Sequence, residues 1–461
     1  MPEANSFAVD VLARLPLAEA TLTLLAYLCR ADFLHDFFGR NAGGSYEDLI
    51  TFPHFLDLLG DALLQRQGSL AAALDHAPDL AASRQAYYGK LRRVPLGLSV
   101  ALLREGAQRL RPLLPRGGAP PLPACLDGWE VRMVDGKKLK RVAKRLLATR
   151  GAAGKLFGGK LLVSWDPRSG LADAVAADPD GEVNDCALVP ALLEQLPAPR
   201  RPWLLVADRQ FGDLKQPGRI EAAGYHFLLR RNAKTHFHPD PQRAADAGRD
   251  PAGRRVVQQW GWLGSGPRRL YVRQITLERP GAEDVVLVTD LLDAARYPAA
   301  DLLAVYLRRW GIEQVFQQIT EVFGLARFIG SSAEATVFQA AYCLLLYDVI
   351  QVVKAQLAAG ARRQRAEVST AKLFADIRAE LVSLCRLVPA AVLARLIDAG
   401  TGAEGVRQRL RERLRGCWRP RYQKAVEGKP RARRVKARGS GAHTSVYRLQ
   451  QKNRASTKKN A

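Results

Sequence analysis

The run Trp203-Leu-Leu-Val-Ala207 limits the possible folds more than any other stretch of this chain. Five consecutive apolar residues offer no polar face to water, so the run reads as a strand covered on both sides of a sheet. It stops at Asp208. A second strand pattern, Glu130 to Val134, stops in the same way at Asp135-Gly136. A carboxylate at the end of such a strand lies in the crevice beside the sheet, open enough to meet a cation yet backed by a rigid element. Asp166 and Asp290 also follow strand patterns and read as turn formers.

The rest of the chain can be placed around these strands. Residues 1–120 are rich in Leu and Ala, with helical spacing in Ala18 to Cys29, Tyr46 to Gln65 and Leu98 to Leu114, and read as an all-helical domain. Within it, Ser83 to Pro95 predicts a Ser-capped helix stopped by proline. That helix offers Arg84, Lys90, Arg92 and Arg93 to DNA phosphates, either as the recognition helix of a helix-turn-helix or as a plain basic surface. Pro115 to Pro123 is a breaker-rich linker. Residues 121–357 then carry the strands: Lys160 to Trp165, a turn over Asp166 to Gly170, the return Leu171 to Ala177, a helix over Cys186 to Leu196, Trp203 to Ala207, and Gly224 to Leu229. From about 230 to 285 the chain turns polar and then alternates in short pieces, which predicts a β-rich insertion. Helix is expected from Ala299 through Glu313 and, after Gly330-Ser-Ser, from Ala333 to Leu357; residues 358–418 form a further helical region.

Seventy Lys and Arg against 45 Asp and Glu leave a net charge of +25, which favours a polyanionic partner, nucleic acid before an anionic membrane. Fourteen of these bases and a single acid, Glu427, fall in residues 419–461. This tail has too few aliphatic residues to offset the entropy of ordering it and is expected to stay disordered until it meets phosphate. No uninterrupted apolar run reads as long enough to cross a bilayer, and Met1 opens no signal-peptide pattern. The six cysteines are scattered and read as small buried hydrophobes in a reducing compartment. His236 and His238 have no third ligand near them in sequence and read as polar loop residues.

Tyr306 to Thr320, predicted helical, spaces Tyr306, Arg309 and Glu313 by three and four residues, so a hydroxyl, a guanidinium and a carboxylate share one face. If Glu313 packs across the same sheet, three acids converge with Asp135 and Asp208 and repel one another unless a cation sits among them. Mg²⁺ suits such a set, because it takes oxygen ligands and keeps positions for water and phosphate oxygens. Two such ions clamp the attacking and leaving oxygens of a phosphoryl displacement.

These segments resemble the IS4 family of DDE transposases, which have an RNase H-like catalytic core. Thr289-Asp-Leu-Leu-Asp293 followed by Tyr306-Leu-Arg-Arg309-Trp-Gly-Ile-Glu313 fits the family's Y-x2-R-x3-E signature without a gap. Asp208-Arg-Gln-Phe-Gly212 resembles its D-R-G-F segment, with Gln210 in the glycine's place, and Val134-Asp-Gly136 resembles its first acidic segment, with Lys137 where a hydroxyl residue often follows. The signature continues with a lysine seven residues after the glutamate, and this chain has Thr320 there. The likeness spans roughly residues 129–352.

The resemblance implies an α/β RNase H-like core with a β-rich insertion, preceded by an all-helical domain and followed by helices and a basic, disordered tail. It makes Asp135, Asp208 and Glu313 the catalytic residues, holding two Mg²⁺ ions for which Mn²⁺ could substitute. Tyr306 and Arg309 would touch phosphates of the transposon end, with Arg209, Lys137 and Lys138 as further DNA contacts. Trp260 and Trp262, in the insertion, either close its small core or stack on a flipped base; Trp310 reads as core. The implied activity is metal-dependent cleavage at the ends of an insertion sequence and transfer of the 3′ hydroxyl into target DNA. Double-stranded DNA, a homodimer when two ends are paired, and a bacterial cytoplasmic, nucleoid-associated setting with no membrane follow from it. A non-cleaving DNA-binding relic and an RNase H-like nuclease are the alternatives.

Overall fold

A computed structural model describes residues 2–64, 66, 70–75, 77, 82–117, 121–140, 155–197, 201–323, 332–397, 402–424 and 443–459. The chain opens with helices α1 (Pro2–Arg14), α2 (Pro16–Leu28), α3 (Ala31–Asn41), α4 (Phe52–Leu63), α5 (Leu70–Asp75), α6 (Arg84–Arg92) and α7 (Leu96–Leu110). The Ser83 hydroxyl accepts the Ala86 N–H at 3.2 Å and so caps α6 as the sequence predicts.

Strands β1 (Glu130–Lys140), β2 (Lys155–Trp165) and β3 (Ala172–Asp178) form an antiparallel meander; α8 (Val189–Gln195) leads to β4 (Trp203–Gly212), and α9 (Lys215–Ala222) to β5 (His226–Arg231). β4 runs parallel to β1, and β5 runs parallel to β4, which gives the order β3-β2-β1-β4-β5. This is the RNase H-like arrangement. The insertion does not form a separate sheet. Its strands β6 (Phe237–Pro239), β7 (Asp246–Arg249), β8 (Arg255–Leu263) and β9 (Leu270–Leu277) join β10 (Val285–Thr289), which pairs antiparallel with β5 and extends the same sheet.

The remaining helices are α10 (Ala299–Leu307), α11 (Trp310–Val322), α12 (Ala333–Gly360), α13 (Thr370–Leu387), α14 (Ala390–Leu396) and α15 (Ala403–Arg413). Gly330 and Ser331, expected to break the helices, lie outside the described residues; Ser332 caps α12 by accepting the Ala335 N–H at 3.1 Å. α12 has the length and apolarity of a membrane span, contrary to the expectation from sequence, and its most apolar window is wholly buried in the protein. It is the central core helix. One face of the sheet shares a continuous core with α12, with α11 and α13, and with the N-terminal helices; the other face packs under α8 and α9. Phe55 of α4, for example, packs on Phe338 of α12 with ring centroids 5.6 Å apart. The linker at 115–123 therefore marks a change of secondary structure and not a break between cores.

The basic tail departs from expectation as well. Residues 425–442 lie outside the described residues, but His443–Ser445 form β11, parallel to β2, and Val446–Lys459 form α16. The order comes from tertiary partners: Ser445 and Val446 are buried, and Arg448 pairs with Asp180 at 2.7 Å and with Glu182.

Candidate active site

Asp135 and Asp208 are not at the ends of their strands, as the sequence suggested; both strands continue past them. What ends there is the pairing of β1 with β4, whose last partners are Val134 and Ala207. β1 stays extended because β2 still holds it, from Asp135 opposite Val163 to Lys140 opposite Phe157. β4 loses regular register with β5 between Ala207 and Gly212. The two carboxylates thus sit side by side where parallel neighbours separate. By strand alternation they lie on the face of Met133 and Val206, the face covered by α11.

Glu313 enters from the first turn of α11, which packs over β1. Here the expected single helix is two. α10 ends at Leu307 and α11 starts at Trp310, joined by Arg308 and Arg309, whose N–H groups make tight 3.0 Å bonds to the carbonyls of Val305 and Tyr306. The break turns Arg309 inward. Its Nη2 donates to Glu313 Oε1 at 3.0 Å, and its Nη1 stands 3.8 Å from Asp135 Oδ2. One buried guanidinium balances the acids, while its Nε and Nη1 have no hydrogen-bond acceptor among the described residues.

Burial pushes the Asp135 carboxyl up to about 6; the Gly136 N–H and Arg309 pull it down, and Glu313 and Asp208 push it up. The Tyr306 hydroxyl is raised by burial, against the pull of Arg309. Among the described residues no three His, Cys, Asp or Glu are grouped closely enough to hold a metal ion as they stand. The donor chemistry nevertheless fits a hard divalent cation: three carboxylates share one crevice, and a cation already stands among them in the form of Arg309.

The other candidates for DNA contacts are placed as follows. Arg209 is drawn to Glu283, which also pairs with Arg230 at 3.1 Å. Lys137 lies over the Phe316 ring and Lys138 over Phe157. Arg84 pairs with Asp75. The Lys90 ammonium donates to the Tyr46 and Ile50 carbonyls, which anchors the loop before α4. Arg92 and Arg93 are exposed. Thr320 is exposed and its hydroxyl bonds back to the Phe316 carbonyl at 2.6 Å. Trp260 is buried with its indole N–H on the Leu292 carbonyl at 2.8 Å, so it closes the insertion's core; Trp262 is half-buried against Tyr271. Trp310, expected in the core, is 53% exposed, because the break before α11 swings it outward.

Sequence reasoning missed one group beside the acids. Asp185, in the turn before α8, is buried, pairs with Lys160 of β2 and accepts the Gln210 side-chain N–H. Its carboxyl lies so close to Gly136 that any Cβ there would collide with it. Gln210, the departure from the D-R-G-F pattern, therefore ties β4 to the turn under Gly136, one residue from Asp135 and two from Asp208. Nothing in residue spacing signals this contact between separate elements.

The family model described as "Transposase DDE domain" matches residues 124–349, a span that holds all three acids. No curated protein matches. Among solved structures, a cryo-EM structure of a piggyBac transposase synaptic complex with hairpin DNA is similar at 9% identity and a TM-score of 0.39, over 86% of this chain and 85% of that one. On the family match, residues 124–349 of this chain are similar to the transposase DDE domain family.

Proposed function

We propose that this protein is the transposase of a bacterial insertion sequence of the IS4 family, cleaving DNA at the element's ends and joining the 3′ hydroxyl to target DNA. The observation that carries the proposal is the convergence of Asp135, Asp208 and Glu313 where β1 and β4 part, around one buried arginine. These three residues would hold Mg²⁺ or Mn²⁺, most simply as two ions; bound there, the metal supplies activation of the attacking water or hydroxyl and neutralisation of charge on the leaving oxygen. The chain's own part is positional. Arg309 holds Glu313 toward Asp135 and balances the charge of the acids. Tyr306 lies beside it, its ring centre 5.8 Å from the guanidinium carbon. Double-stranded DNA is the substrate, two ends require at least a dimer, and the cytoplasm is the setting.

The test is strand cleavage of duplexes carrying the element's terminal repeats, with Mg²⁺ or Mn²⁺. Asp135→Ala, Asp208→Ala and Glu313→Ala should each abolish cleavage while duplex binding persists. Full activity in any of them would overturn the assignment. Binding without cleavage by the unaltered protein would favour a relic, and cleavage without joining a nuclease.

A further inference from the structure

Resting on the DNA-processing reading above, we infer that α16 is a phosphate-binding surface fixed at the acid end of the sheet, gripping the flank of the same duplex that enters the site. Its composition is one-sided: Arg448, Lys452, Arg454, Lys458 and Lys459, with no Asp or Glu, over Val446–Lys459. Gln451 to Ala455 form an exposed stretch that carries Lys452 and Arg454.

Its position follows from strand register. β11 pairs with β2 at Lys155 to Phe157, the part of β2 that pairs with the far end of β1, beyond Asp135. Val163, opposite Asp135, lies six residues along β2 from Phe157, opposite Ser445. At about 3.3 Å per residue that is about 20 Å, or roughly six base pairs of duplex. The chain thus uses its last strand to return a basic helix to the end of the sheet where the carboxylates stand. Arg448 locks it there on Asp180 and Glu182, which neutralises the two nearby acids that would otherwise repel DNA. A disordered polycation would give charge without this placement.

The experiment measures duplex affinity of the full chain against salt between about 50 and 200 mM. Removing one phosphate-binding charge flattens the log–log slope by about 0.9. Lys452→Glu with Arg454→Glu should flatten it by roughly 2 and weaken binding at the higher salt at least about tenfold, with cleavage retained at low salt. Ser445→Pro, which leaves every charge in place but disrupts the β11 pairing, should weaken binding in the same direction. An unchanged slope in the double variant overturns the surface, and wild-type binding by Ser445→Pro overturns its fixed placement. Asp135→Ala should keep the wild-type slope. A failure of the DDE reading would show as cleavage that survives Asp135→Ala, and a failure of this inference as a slope that survives the α16 substitutions.

Discussion

At the scale of single residues, the site depends on buried charges that satisfy one another. Asp185 and Lys160 are both buried, and each makes the other tolerable. Removing one partner of such a pair leaves an uncompensated charge, so Asp185→Asn should lower the unfolding free energy by roughly 3 kcal/mol, measured by urea denaturation. Asp135, Asp208 and Glu313 were legible in the sequence because apolar strand patterns and a contiguous signature pointed at them. Asp185 was not, since its partners come from β2 and β4 and from the bare backbone of Gly136. The inward turn of Arg309 was also illegible, because helical spacing alone placed it on an open face.

At the scale of elements, the decisive feature is the break between α10 and α11. Hydrophobic spacing runs through Leu307 to Ile312 without interruption, so periodicity predicts one helix. The interruption is enforced from outside: Gly311 lies under the Trp165 ring of β2, and a Cβ there would come within 2.5 Å of it. Gly311→Ala should therefore cost about 1–3 kcal/mol of stability by overpacking, in spite of alanine's better helix propensity. Thermal unfolding will show this as a lowered Tm, and a raised Tm would mean that the packing of Gly311 on Trp165 does not hold the break. The strands were read more faithfully. A period of two and an apolar run survive transfer into the fold, whereas strand ends depend on which neighbour stays paired.

At the scale of the whole molecule, α12 joins the N-terminal helices, the sheet and α13 through one core, and it carries Lys354 into that core, bonded to Thr370 Oγ1 at 3.1 Å. Burial lowers the Lys354 ammonium from 10.5 to about 7, with Lys424 and Arg365 adding repulsion. The unfolded chain binds this proton more tightly than the folded one, so the protein should gain stability as pH rises from about 7 toward 10. Lys354→Met should raise Tm at and below neutral pH, by an amount that shrinks as pH approaches 10, and a constant difference across that range would refute the role of this ammonium. The sequence by itself determined the sheet-centred core, its helical surroundings, the three acids and the basic character, because burial patterns and charge are local properties of a chain. Only the tertiary structure decided that β1 and β4 part at the acids, that Arg309 turns inward to balance them, and that the tail returns as β11 and α16. Those outcomes depend on contacts between residues far apart in sequence, whose partners no local pattern names.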